Sequence, residues 1–271
     1  MDRLHISFAA FASFARRKMK IETILTPAEL PALAQRDLRA TACVVFDVLR
    51  ATSTFVTALH HGAQAIIPVS EIAEALEIKN SQFAIRNPQL VLLGGERHGV
   101  RISASGIDFD LGNSPREYTP EKVRGKTIVS TTTNGTRALR ACVGAKTILA
   151  SSFLNLTATA EFLRRENPEN ILLVCAGTGE DPASEDINAA GAMVELLSTH
   201  APNARISAES HVARTAFSVA QAHFPNVIRD SQNGRRLLAI PELHDDVAFC
   251  SQRDIFLLVA RLEADGAIRR L

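Results

Sequence analysis

Ala42 to Ala63 reads ACVVFDVLRATSTFVTALHHGA, and its two halves follow different periodicities. Cys43 to Phe46 is an unbroken apolar run of strand length, the pattern of a strand buried on both faces. Phe55, Ala58 and Leu59 then fall on one face of a helix that Gly62 closes. Polar residues crowd the hand-over: Asp47, Arg50, Thr52, Ser53 and Thr54. This strand–turn–helix plan occurs twice more. IVSTTTNGTRAL (Ile128 to Leu139) puts four hydroxyl residues, Ser130 to Thr133, and Asn134-Gly135 between a strand and a helix that ends near Gly144. In NILLVCAGTGEDPASEDINAAGAMVELLSTH (Asn170 to His200), strand Ile171–Cys175 leads through a glycine-rich loop. A helix follows, with Ser184 as the expected cap and Ile187, Ala190, Val194 and Leu197 as its apolar stripe.

Further strands are expected at AIIPVS, LVLLGGE and TILASS. Apolar strands alternating with amphipathic helices predict a layered α/β/α fold with a largely parallel or mixed sheet, in one unit or two lobes. RRLLAI and DDVAFCSQ read as helices. IFLLVARLEADGAIRRL reads as two strands around Ala264-Asp265-Gly266. Exposed apolar strands there predict a homodimer. Residues 1–18 are set apart, with 19–271 taken as a single catalytic unit. ISFAAFASFA (Ile6 to Ala15) is about as long as a signal core, but its positive cluster, Arg16 to Lys20, follows it, and Met19 is an alternative start.

Thirty basic residues face 29 acidic ones, a net charge of +1, so no global field draws a polyanion or a membrane surface. With no Trp and one Tyr, stacking platforms for single-stranded nucleic acid are not expected either. Cys43, Cys142, Cys175 and Cys250 form no C-x-x-C pair, and the histidines show no H-x-x-x-H spacing. That argues against zinc and disulfides and for a reducing, cytoplasmic compartment. His60-His61 reads as a partner for a helix C-terminus.

In open α/β sheets ligands bind beyond the carboxyl ends of the strands, and the polar residues gather there. Each has a bland reading: Asp47 supports a turn or cap, Glu185 and Asp186 complement a helix dipole, and Thr131 to Thr133 end a strand with one of them as N-cap. Their joint occurrence argues for more. Carboxylates without histidine or thiol (Asp47, Glu96, Glu185, Asp186) suit a hard cation, Mg²⁺ above all. Arg50, Arg97 and Arg137 suit a multiply charged oxyanion, as do the hydroxyls and amides of Ser53, Thr54, Thr132, Thr133, Asn134, Gly135 and Gly177. Asn113 and Ser114, in a turn before Pro115, add neutral donors. These are the parts of a metal-assisted phosphoryl-transfer or phosphate-hydrolysis site.

FDVLRATST, GGERHG, FDLGNSPREYT, TTTNGTRA and AGTGEDPASEDINAAG stand in the order found in the 2-phosphosulfolactate phosphatase (ComB) family. The chain resembles that family from about Val44 to Gly191, and more weakly through SQNGRRL and DDVAFCSQRD. The resemblance implies an α/β fold unlike the common phosphatase superfamilies. It also implies a Mg²⁺-dependent hydrolase that releases 3-sulfolactate and phosphate, a step of coenzyme M biosynthesis. The substrate would be a small anionic phosphorylated acid. Asp47, Glu185 and Asp186 are then the expected metal ligands, with Glu96 an alternative ligand or base, and Asp47, Glu96, Arg50 and Arg137 the expected catalytic set. Asp108-Phe109-Asp110 departs from the family's usual Gly-Phe-Asp. Two readings compete: an aspartyl-phosphate route, disfavoured because Leu49 stands where a D-x-D motif needs Asp, and a non-catalytic binder of the same acids.

Overall fold

The computed structural model describes residues 19–81, 86–104, 106–224 and 226–271; the segment 1–18 set apart above lies outside them. Thirteen strands are described. The first seven are β1 (Lys20–Ile24), β2 (Thr41–Phe46), β3 (Ala65–Val69), β4 (Val91–Arg97), β5 (Val100–Arg101), β6 (Ser103–Ala104) and β7 (Ile107–Asp108). The rest are β8 (Thr127–Thr131), β9 (Thr147–Ser151), β10 (Asn170–Cys175), β11 (Arg205–Ile206), β12 (Ala260–Leu262) and β13 (Ile268–Arg270). The longer helices are α1 (Ala51–His60), α2 (Ile72–Lys79), α3 (Gly135–Ala141), α4 (Leu156–Glu166), α5 (Ser184–His200), α6 (Ala208–Ala220), α7 (Gln232–Leu238) and α8 (His244–Cys250).

Eleven strands form one sheet in the order β11-β1-β10-β2-β9-β12-β13-β3-β8-β4-β5, and β6 and β7 pair separately. The fold is thus layered α/β with a mixed sheet. One parallel block runs from β11 to β9 and another comprises β3, β8 and β4. The C-terminal hairpin joins them through three antiparallel contacts: β9 with β12, β12 with β13, and β13 with β3. Three reversals make the blocks run in opposite directions, yet the C-terminal ends of β2, β4 and β8 line one cleft. One core holds residues of both blocks (Cys43, Val45, Ile66, Ile128, Val174), with α1 and α3 packed into it through Phe55, Leu59, Ala138 and Leu139. Each block also has its own cover. Met193, Val194 and Phe217 of α5 and α6 lie against the first, and Ala75 of α2 lies among Val69, Val91 and Val129 of the second.

Strand runs, turns and the C-terminal helices fall where the patterns place them, and Gly62 and Gly144 both have the positive φ that ends a helix. Two expectations are corrected. Ser184 is the first residue of α5, and Ala183 stands at the cap position without a side-chain bond. The C-terminal strands are shorter than the apolar run predicts, with β12 starting at Ala260, and they are central in the sheet with Ala260 and Ile268 fully buried; the exposed apolar residues there, Ile255 and Leu257, precede β12. No described helix is long and apolar enough to cross a membrane. All four cysteines are buried and free.

Candidate active site

The residue after β2 is Asp47, 6% exposed at the floor of a cleft of ≈ 610 Å³. Asp47 Oδ1 accepts the amide of Ala51 at 3.1 Å, which fixes the carboxylate at the start of α1. Gly135 makes room for it: a Cβ there would stand 2.8 Å from Asp47 Oδ2 and 2.7 Å from Ala51 Cβ. Burial pushes the Asp47 carboxyl up to about 7, and the negative charges of Glu96 and Glu185 push the same way.

Glu185 and Asp186 open α5 beneath the same floor, each 1% exposed. Asp186 is a clamp, because its oxygens accept the amides of Val48 (2.8 Å) and Gly177 (3.0 Å) and tie the loop after β2 to the loop after β10. Glu185 differs. Its Oε1 accepts Asn233 Nδ2 at 2.7 Å, and its Oε2 is buried with no partner. Burial raises both carboxyls above the usual range. No three carboxylate, histidine or cysteine side chains converge as a metal cluster among the described residues. A hard cation still fits what is present. Asp47 is a buried oxygen donor and Glu185 keeps a buried oxygen without a hydrogen-bond partner, and Mg²⁺ is commonly held by one or two carboxylates, waters and substrate phosphate. An orphaned buried carboxylate oxygen is costly unless something positive meets it.

The opposite wall comes from β4 and β8. Glu96 accepts the amide (3.1 Å) and hydroxyl (3.0 Å) of Thr133 at Oε1 and the Gly99 amide at Oε2, 2.6 Å. The hydroxyl-rich stretch thus already holds an anion, the protein's own carboxylate. Thr132 Oγ1 lies 3.1 Å from Thr136 Oγ1, and Asn134 Oδ1 accepts the Gly179 amide.

The three expected arginines all line the cleft but differ in their partners. Arg50, 3% exposed and joined to Leu49 by a cis peptide, donates to Asp246 Oδ2 at 2.8 Å and to Gly99 O at 2.5 Å. Arg137 is ion-paired with Glu180 at 2.6 Å. Arg97 donates to the carbonyls of Glu96 and Ser70 and to Thr131 Oγ1, and it has no carboxylate partner among the described residues. Several expected residues lie behind the cleft wall. Ser53 bonds to Val48 O, Thr54 to Asn113 O, and Ser114 to Asp246 Oδ1. Asn113 does line the cleft, with a buried Oδ1 that has no partner. Pattern reading missed Asp246, His98, Asn233 and Arg236. Asp246, fully buried on α8, anchors Arg50, and the other three line the cleft. SQNGRRL and DDVAFCSQRD were the available signals.

A family profile described as 2-phosphosulpholactate phosphatase matches residues 25–265. The chain belongs to the 2-phosphosulfolactate phosphatase family. A relative from Thermotoga maritima is 41% identical over 219 residues, covering 81% of this chain and 88% of its own. One from Caldanaerobacter subterraneus subsp. tengcongensis is 37% identical over 236 residues, with 86% and 92% covered. One from Gloeothece citriformis is 33% identical over 239 residues, with 88% and 95% covered. Each is named a probable 2-phosphosulfolactate phosphatase. The family match includes the cleft residues of all four loops and extends past both C-terminal helices.

Proposed function

We propose that this chain is a Mg²⁺-dependent phosphatase that hydrolyses 2-phosphosulfolactate to 3-sulfolactate and phosphate. The observation that carries this reading is the opposition within one cleft of the buried Asp47, backed by Glu185 with its free oxygen behind the cleft residue Asn233, and Arg97, whose charge no described carboxylate neutralises. The names of the relatives support the substrate. Asp47 and Glu185 would hold the metal, which when bound supplies charge neutralisation and a lowered pKa for its water. Arg97 and Asn113 orient the anion, and Arg50, braced by Asp246, presents a fixed positive charge at the cleft edge. Glu96, held by three donors, keeps the loop after β4 closed against Thr133.

The test is phosphate release from 2-phosphosulfolactate with and without added Mg²⁺ after chelation. Release that needs Mg²⁺ is expected. Tight binding of the ester without release would make the chain a binder, and a covalent aspartyl phosphate at Asp47, trapped by borohydride reduction to homoserine, would overturn direct attack by water on the ester.

A further inference from the structure

We propose that Arg236 is the residue that reads the second anionic group of the substrate, the carboxylate or sulfonate carried on its carbon frame. The inference rests on the proposed function and adds a recognition subsite at the cleft rim.

Three observations carry it. First, Arg236 is exposed and lines the cleft, and its guanidinium has no ion pair or hydrogen bond among the described residues. Arg50 and Arg137, in the same cleft, are each bonded to a carboxylate. Second, its backbone is fixed although its charged end is free. Asn233, one turn earlier on α7, donates to Glu185 Oε1 and Thr178 Oγ1, both at 2.7 Å. Ser231 caps the helix through the Gly234 amide at 2.9 Å. Gly234 lies so close to Ile228 that a Cβ there would stand 2.1 Å from its carbonyl oxygen. Third, the guanidinium lies broadside to Gly99: Cζ, Nε and Nη2 are all 3.8 Å from where a Gly99 Cβ would be. Gly99 bonds Arg50 through its carbonyl and Glu96 through its amide. Arg236 therefore faces the same turn as the catalytic wall and keeps its donors for an incoming anion. A phosphate drawn to the buried floor leaves the rest of a short acid pointing toward this rim, where a planar fork of donors matches a carboxylate or sulfonate.

The experiment compares four phosphate esters on one three-carbon frame. They are propan-2-yl phosphate with no second anion, 2-phospholactate with a carboxylate, 2-phosphooxypropane-1-sulfonate with a sulfonate, and 2-phosphosulfolactate with both. Arg236→Ala is expected to lower the kcat/KM ratio of an anion-bearing ester to propan-2-yl phosphate by ~10-fold or more, the effect of one charge-assisted bond. The ester that shows the loss identifies the anion read. Arg235→Ala, which removes the same charge from the same helix outside the cleft, is expected to leave that ratio unchanged. An equal loss on all four esters, or the same change in both variants, would overturn the proposal. If the wild-type protein hydrolyses none of them, the phosphatase reading fails. The ratio of calorimetric dissociation constants for the four esters in wild type and Arg236→Ala then decides the subsite by the same criterion.

Discussion

The floor of the cleft and its rim are built from opposite materials. Asp47 at the floor and Glu185 and Asp186 beneath it are almost wholly buried, and they crowd acid groups where water cannot screen them. At the rim Arg97 and Arg236 keep positive charge that no described carboxylate neutralises, while Arg137, also at the rim, is cancelled by Glu180. The difference teaches that neither wall is complete alone. Acid groups lie on one side and positive charge on the other, the two polarities that the proposed metal-bound phosphate ester would match.

Removing one floor charge tests that reading most severely. Asp47→Asn should lower kcat/KM by roughly a thousandfold, about 4 kcal/mol of transition-state stabilisation, with the circular dichroism spectrum unchanged. Full activity at saturating Mg²⁺ would take Asp47 out of the chemistry. Next comes the brace behind the rim. Asp246→Asn leaves Arg50 buried without a counter-charge and should cost about 3 kcal/mol in urea unfolding; a shift within error would show that solvent reaches the pair. Gly135→Ala should lower kcat by roughly a hundredfold, because the added methyl displaces the Asp47 carboxylate. The check is kcat alongside thermal stability, and loss of stability without loss of kcat would contradict it.

A smaller effect concerns pH. The folded-state pKa of Asp47 is raised to about 7 from 3.8, so the native state holds that proton more tightly than the unfolded chain. The stability that this proton contributes in the chelator-treated protein is therefore fully present below ~3.8 and is lost as pH rises through 7. Melting temperatures from pH 5 to 8 should decline, and Asp47→Asn should flatten the slope. A steeper slope in the variant would assign the titration elsewhere. The smallest effect is expected from Arg137→Ala, whose charge already has a carboxylate partner: KM should rise less than ~3-fold, against a larger rise for Arg97→Ala. The reverse order would mean that Glu180 releases Arg137 when ligand binds.

Much of this was legible in one dimension. Strands and helices announce themselves through apolar runs and helical stripes, and the loops that carry Asp47, Glu96, Thr133 and Glu185 follow from where those runs stop. Pairing was not legible. Nothing local in Ala260–Arg270 says that its hairpin sits between β9 and β3, because that depends on strands distant in sequence. KIETI, now β1, has charges at its first and third positions and gave no strand signal. The contrast between Glu185 and Asp186 was equally hidden. They are neighbours of like charge, and only tertiary contact decides that one clamps two loops while the other keeps a free oxygen. Arg137 drew attention by its place in a polar turn, whereas Arg236 and Asp246 lie on helices outside the repeated strand–turn–helix plan.

The hairpin at the end of the chain has a consequence for synthesis. Both parallel blocks can pair their own strands before residue 260 is made, but β9 and β3 then each present an unpaired edge. A chain that stops short of β12 and β13 therefore has two sticky borders, and its sheet does not join the block that carries Asp47 to the block that carries Glu96 and Arg97. Both borders are paired only with the last dozen residues, and the hazard of aggregation leaves with them.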